Sequence, residues 1–396
     1  MIVDELLWLG KTLDEGSPMR VLSVNPGSSS LKTTLLDGDE ILADHEIPLE
    51  DSVTGMRKVL SALSMWSHKS PPQAIGVRVV HGGRAFQDSV RVDPTVLSVL
   101  EKLLPLAPLH IPIAIRVLSA LTGMEQSLPV VAVFDTQFHR TLPETARRYA
   151  LPDEWEKNEG VEKYGFHGLS YDDVVHRLPG FLGGALPERL VAVHWGNGAS
   201  ACALLRGRSV ETSMGFTPLD GLVMGTRPGS IDPGIFPALL RRGYSPEALE
   251  EALNHRSGLF ALSGGVSDFR EIEKRLEQKD ARAVLAFEKA VLSVAMTVGA
   301  YAPLLGGLEA LVLTGGIGEH SWRAREAVME RLAFLGVRSD PESNRSGTGD
   351  RRVSGEGSRV SVWALHARED RTIARETERI LGGTEKEIHK SGGVNA

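Results

Sequence analysis

The run Val130–Phe134 (VVAVF) is apolar throughout and stops on Asp135. A strand without a polar side cannot face water on either surface, so it reads as a buried parallel strand covered by helices on both faces. Other short apolar runs read as strands: Val21–Val24, Leu31–Leu36, Ile75–Val80, Leu190–His194, Ala201–Leu205 and Leu308–Leu313. Between them, residues 282–304 carry apolar side chains at helical spacing, which predicts a long, largely buried helix. A further helix is expected over His320–Leu335 and a last one over Thr372–Leu381. Strands alternating with helices predict an α/β protein, and 396 residues suffice for two or three domains of about 100–200 residues each.

Two segments share one plan. VLSVNPGSSSLKTTLL, from Val21, and LVAVHWGNGASACALL, from Leu190, each run apolar strand, small polar and glycine loop, apolar strand. Two similar lobes are expected, each opening on a hairpin whose tip meets a phosphate; two unrelated hairpins would share the plan as well. The chain has 42 glycines in 396 residues, above the usual share of about 7%. Glycines in linkers would mean flexibility, whereas glycines in loops after strands mean close backbone approach to a ligand.

Composition excludes several classes. Lys plus Arg is 44 and Asp plus Glu is 51, a net charge of −7, which argues against a nucleic-acid binder working through a broad basic face. The single cysteine, Cys202, rules out an intrachain disulfide and a cysteine metal cage, as expected in a reducing cytoplasm. No uninterrupted apolar run approaches the roughly 18 residues of a membrane span. Residues 1–18 are acidic early and lack an A-x-A-like site, so they read as a short amphipathic extension, with Met19 an alternative start. The stretch 339–359 reads as a polar surface loop and the C-terminal GGTEKEIHKSGGVNA as a frayed tail.

The motifs carry anion chemistry. Asn25-Pro26-Gly27-Ser28-Ser29-Ser30-Leu31-Lys32 offers backbone N–H groups, hydroxyls and one ammonium, as an anion nest or as a plain serine-rich turn. Asp135, at the carboxyl end of a central strand, is a candidate Mg²⁺ ligand or a helix N-cap. Arg78 and Arg227 stand beside glycines in apolar surroundings, where an unpaired charge is costly; each needs an oxyanion ligand or a structural carboxylate. His110, His167 and His194 lack metal-site spacing, and each is structural or catalytic. Gly196-Asn197-Gly198 and Gly315-Gly316-Ile317-Gly318 are further loops of close backbone approach, the second after a strand and before a helix.

Taken together, VNPGSSSLK, RVVHGG, APLHIP, VFDTQFH, YGFHGLS, HWGNGAS, ETSMGFTPLDGLVMGTRPGSIDPG, SGLFALSGGVSDFR and LTGGIGEHS resemble the acetate kinase family, within the acetate and sugar kinase/Hsp70/actin superfamily. The resemblance runs from about Val21 to Leu381. It implies reversible transfer of the ATP γ-phosphoryl group to acetate, giving acetyl phosphate and ADP. It implies two RNase H-like lobes with a nucleotide cleft between them: 19–136 plus 372–383, and 137–371, with 1–18 and 384–396 as terminal extensions. It also implies Mg²⁺ or Mn²⁺ as cofactor, a homodimer, and a cytoplasmic enzyme without nucleic-acid or membrane partners.

By the same resemblance, Arg78 and Arg227 match the arginines that bind carboxylate and transferring phosphoryl, His167 the histidine at the transition state, and Asp135 the catalytic acidic residue. Asn25 and Glu369 match the metal-site positions, with Asp370 as rival to Glu369. Val80, Leu109, Phe166 and Pro218 match the pocket for the substrate's alkyl end. Lys32, His194, Asn197, Gly198, Asp268, Phe269, Arg270, Gly315, Gly316, Ile317 and Gly318 match ATP-binding positions, and His110 an active-site histidine.

The chain departs from the family at Ile111, Pro228, Ser230 and His320, and ALHARED replaces the usual TNEE segment around Glu369. These departures leave propionate or butyrate open as substrate; a nucleotide sensor without phosphotransfer is the rival from another class.

Overall fold

A computed structural model describes residues 19–27, 30–48, 71–107, 110–123 and 128–391 of the chain. Strands β1 (Arg20–Pro26), β2 (Ser30–Asp37), β3 (Glu40–Pro48), β4 (Ala74–Val79), β5 (Val90–Arg91) and β6 (Val130–Phe134) form a sheet in the order β3-β2-β1-β4-β6-β5. Strands β7 (Arg189–Trp195), β8 (Ala199–Leu205), β9 (Arg208–Thr212), β10 (Ala310–Thr314), β11 (Arg351–Arg352) and β12 (Ser361–Ala364) form a second, in the order β11-β12-β10-β7-β8-β9.

The two sheets repeat one arrangement. In the first, β1, β4 and β6 are parallel, and β2 and β3 are added antiparallel. In the second, β7, β10 and β12 are parallel, and β8 and β9 are added antiparallel. The echoed segments are the opening hairpins, β1–β2 and β7–β8.

The helices that matter for the site are α1 (Pro94–Lys102), α2 (Ile111–Thr122), α3 (Gly168–Leu182), α4 (Phe269–Glu277), α5 (Ala281–Leu305), α6 (Gly315–His320), α7 (Trp322–Arg331), α8 (Pro341–Ser346) and α9 (Glu369–Ser391). Side chains alternate across a strand, and the alternation sorts these helices onto faces. Ile75, Val77 and Val79 of β4 pack with Leu100 of α1 and Val117, Leu118 and Leu121 of α2. The opposite face of the same sheet meets α9, where Ile373 packs on Val131 and Val133. Gly76 permits that approach, since a Cβ there would sit 2.2 Å from Thr377 Oγ1. In the second sheet, Val191 and Val193 of β7 face α5, while Leu190 and Ala192 face Tyr171, Val174 and Leu178 of α3.

Several expected elements are corrected. The expected helix over His320–Leu335 is shorter: His320 ends α6, the extended Ser321 (φ −87°, ψ 94°) caps α7 by accepting from Ala324 N, and after Arg331 a 3-10 turn, Ala333–Leu335, follows. The last helix starts at Glu369 rather than Thr372 and continues to Ser391, through most of the tail expected to fray. The expected loop 339–359 contains α8 and β11 and buries Asn344 and Val353 completely. Edge strands β3 and β9 and the short β5, β11 and β12 were not expected; they carry polar residues or are too brief for a periodic signal. By length and composition α5 could cross a membrane. Here Ala286, Val291, Val294 and Val298 lie in the core, while Leu285, Leu292 and Met296 face outward at 54%, 42% and 65% exposure.

Candidate active site

Parallel strands bring their carboxyl ends to one edge of the sheet, and three candidate residues meet there. Asn25 lies in β1, Arg78 in β4, and Asp135 follows β6. Arg78 Nη2 donates to Asp135 Oδ2 at 2.5 Å and Nη1 to Asn25 Oδ1 at 3.2 Å. Asn25 Nδ2 in turn donates to Glu369 Oε2 at 2.7 Å. The first residue of α9 thereby joins a cluster formed by the amino-terminal strands.

The buried Asp135 pairs with the Arg78 guanidinium, and the half-buried Glu369 adds its charge to the cluster. Burial pushes the Asp135 carboxyl up, Arg78 pulls it back, and Glu369 adds to the rise. Burial also opposes the Glu369 charge, but Arg78, His194, Asn25 and Lys32 hold its carboxyl below the ordinary range. Burial likewise works against Arg78, yet Asp135 and Glu369 keep it firmly charged. Asp135 Oδ1 is buried with no hydrogen-bond partner. Asp135 is therefore no simple helix cap, and Arg78 takes the ion-pair alternative. Asp370, the rival to Glu369, has Arg368 and Arg371 as charged neighbours instead.

Arg227 is built differently. It has no ion-pair partner among the described residues, and burial alone lowers its pKa. Backbone bonds hold its loop: Met224 N donates to Arg227 O at 3.1 Å, Leu259 N to Met224 O at 2.9 Å, and Phe260 N to Gly225 O at 2.8 Å. Gly258 (φ +60°) fits behind this loop, where a Cβ would lie 2.2 Å from Met224 O. That contact accounts for the SGLF motif. Gly225 N also donates to Asn197 O at 2.8 Å, which docks the Gly196–Gly198 loop on the Arg227 loop. A Cβ on Gly225 would sit 1.8 Å from Asn197 Oδ1. Gly225→Ala is accordingly expected to part the two loops and lower kcat/KM about 100-fold, checked by steady-state kinetics alongside an unchanged far-ultraviolet circular dichroism spectrum.

The histidines are neutral donors and acceptors. Burial, then Arg227 and Arg78, push His110 down to about 4. Burial, His194, Arg78 and Arg227 hold His167 well below its usual range. His167 is in the left-handed region (φ +58°), a strained conformation for a residue with a side chain, and leads into α3. Its Nδ1 lies 2.9 Å from Ser200 Oγ, which is also hydrogen-bonded to Tyr171 OH. The network thus links Tyr171, Ser200 and His167 Nδ1, and leaves His167 Nε2 without a partner in it. The rings of His167 and His194 stack at 4.3 Å, and His194 Nδ1 lies 2.9 Å from Ser170 Oγ. Sequence reasoning missed Ser170, Tyr171 and Ser200, although each lies within or beside a quoted motif.

The remaining candidates are dispersed around these groups. Gly315 (φ +76°) presses on the Trp195 backbone, at 3.0 Å for a Cβ, whereas Gly316 faces open space. Asp268 caps α4 and pairs with the exposed Arg270 at 2.8 Å. The Phe269 ring is turned into the core against Trp195 and Phe287, so only its backbone reaches the surface side. Val80 and Phe166 are buried in the same core, Pro218 is half-buried, and Leu109, Ser28 and Ser29 lie outside the described residues. Among the described residues no three His, Cys, Asp or Glu side chains form a ready-made metal cage.

Comparison with known proteins agrees with this arrangement. Residues 42–375 match the sequence profile of the Acetokinase family. An acetate kinase from Dictyoglomus turgidum is 38% identical over 94% of this chain and 100% of its own length. One from Symbiobacterium thermophilum is 41% identical over 92% of this chain and 99% of its own. The crystal structure of Porphyromonas gingivalis acetate kinase superposes with a TM-score of 0.83 at 34% identity, over 92% of this chain and 100% of that one. That of a Francisella tularensis propionate kinase gives 0.83 at 34%, over 91% and 100%. Two like sheets and near-complete alignment with acetate and propionate kinases lead to the same place: the chain belongs to the acetokinase family.

Proposed function

We propose that this kinase transfers the γ-phosphoryl group of ATP to acetate, reversibly, forming acetyl phosphate and ADP. The observation that carries the reading is Arg227: a half-buried guanidinium without a carboxylate partner is best compensated by an anion that arrives as ligand. Acetate is ionised at neutral pH, so no general base is needed. The task is to bring two anions together and to balance charge on the transferring phosphoryl oxygens. Arg227 and Arg78 hold the carboxylate and the phosphoryl group, and His167 donates from Nε2 to a phosphoryl oxygen. Val80, Phe166 and Pro218, with Leu109, enclose the methyl end. Lys32, His194, Asn197, Gly198 and the backbone of Gly315–Gly318 take the nucleotide phosphates, and Asp268, Phe269 and Arg270 border the adenosine.

The residues fit a hard divalent cation, Mg²⁺ or Mn²⁺. Two carboxylates and an amide oxygen converge with one guanidinium, and the orphaned Asp135 Oδ1 has a lone pair to give. Asp135, Glu369 and Asn25 would hold the ion, directly or through water. When bound, it supplies charge neutralisation for the phosphates.

Hydroxamate trapping of acyl phosphate, across acetate, propionate and butyrate with several nucleotides, tests the reading. Acetate is expected to have the highest kcat/KM. Because one methylene alters binding by only about 1–3 kcal/mol, a propionate preference above about tenfold would overturn the choice of acetate. Nucleotide binding without any acyl phosphate would leave a sensor instead.

The outward stripe of Leu285, Leu292 and Met296 on α5 supports a homodimer, since a second copy would cover it. Sedimentation equilibrium is expected to give a dimer, and Met296→Glu with Leu292→Glu a monomer. A lone cysteine supports a cytoplasmic location. The two sheets with their helices, 19–136 plus 372–383 and 137–371, are taken as the two lobes.

A further inference from the structure

The chain returns from the second sheet to the first through Leu365–Arg368, between β12 and α9. This crossing segment is tied down on several sides. His366 N donates to Asp350 Oδ1 at 2.6 Å, and Arg177 of α3 donates to His366 O and, at 2.7 Å, to Asp350 Oδ2. Ala367 N donates to Glu319 Oε1 at 3.0 Å, and His366 Nδ1 is hydrogen-bonded to Glu319 Oε2.

Glu319 follows Gly318 within α6, so both of its carboxylate oxygens reach from the glycine loop to the crossing segment. Its own backbone is held in turn, because the buried Arg325 donates to Gly318 O at 2.9 Å and to Glu319 O at 2.7 Å. The Glu319 side chain is 10% exposed, and His320 Nε2 lies 3.9 Å from the same Oε2. The other end of the path is Glu369, whose backbone follows this segment and whose carboxylate accepts from Asn25 of the first sheet.

A lone exposed His–Glu pair contributes little to stability. A carboxylate engaged at both oxygens, on a ring and a backbone N–H, instead fixes direction. We propose that Glu319 and His366 are positioning residues that set Glu369 against the Gly315–Gly318 loop, so that nucleotide and divalent cation bind as a coupled unit. The inference rests on the proposed roles of Glu369 and that loop. Neither residue touches the reacting atoms or the Glu369 side chain; both act through the backbone that leads into Glu369, one step further out than a direct partner of a metal ligand.

Calorimetric titration of the full chain with ADP, in Mg²⁺ and in EDTA, tests this. His366→Ala is expected to weaken ADP binding in Mg²⁺ about tenfold, the usual scale for an outer partner of a metal ligand. Binding in EDTA should stay within about twofold, so the loss is in the coupling between the two ligands. His366→Gln keeps a donor for Glu319 and should restore the Mg²⁺ value to within about threefold. Glu319→Gln, which preserves side-chain shape, should shift the same ratio in the same direction and serves if His366→Ala melts early. Unchanged affinities in both media, or equal losses in both, would overturn the proposal. Wild-type protein that binds ADP equally with and without Mg²⁺ would overturn the underlying site reading, a result separable because it needs no variant.

Discussion

Arg227→Ala is expected to lower kcat at least about 100-fold, a loss of about 2.7 kcal/mol of transition-state stabilisation, while the melting temperature stays at or above that of the wild type. The two halves of this expectation come from one observation. Arg227 is half-buried and has no ion-pair partner among the described residues, so its removal strands no counter-charge. What disappears, on the proposed function, is a half-buried cation kept for an incoming anion. Its loop is held by Gly225, Leu259 and Phe260 through backbone bonds that alanine at 227 leaves in place. Hydroxamate kinetics and a circular-dichroism melt on the same preparation decide the matter. Near-normal kcat would remove Arg227 from the chemistry, and a large drop in melting temperature would make it structural.

Arg78→Ala should cost as much activity, at least about 100-fold in kcat, but with a different stability signature. Arg78 is the shared partner of Asp135 and, by its charge, of Glu369. Without it the buried Asp135 carboxylate loses its partner in the field of Glu369, and removing one partner of a buried pair costs about 3–5 kcal/mol. The sign with pH follows. Burial already pushes the Asp135 carboxyl up, and losing Arg78 raises it further. The folded variant then keeps a proton that the unfolded chain releases near pH 3.9, so stability is lost as pH rises above that point. The gap in melting temperature between variant and wild type should be small at acidic pH and widen toward neutrality. A gap that is constant with pH would mean that the carboxylates do not depend on Arg78.

The contrast between these two arginines marks the limit of reading residues one at a time. Both stand beside glycines in apolar sequence, and both left the same pair of alternatives open. Structure separates them: Arg78 pairs with a carboxylate beyond the end of the next strand, and Arg227 does not. Glu369 is a similar case. In sequence it is one acid beside another in a segment with little family likeness. In the fold its carboxylate meets Asn25 while Asp370 keeps the company of Arg368 and Arg371. The histidines offered no charge state in sequence, because burial and the arginines that depress His110 and His167 come from distant strands and loops.

What the sequence determined alone is local and periodic. Apolar runs such as Val130–Phe134 could only be buried strands, and the repeated hairpin plan is realised as the same strand order in both sheets. The glycine motifs marked where backbone comes close, because a residue without Cβ leaves that trace wherever it is needed, as at Gly225 and Gly258. Tertiary structure alone decided what those loops approach, which charges are compensated, and how Glu319 ties the Gly315–Gly318 loop to His366 and Ala367 ahead of α9. The physical reason is range. Periodicity and turn chemistry act over a few residues, whereas desolvation and ion pairing depend on groups brought together by packing from opposite ends of the chain.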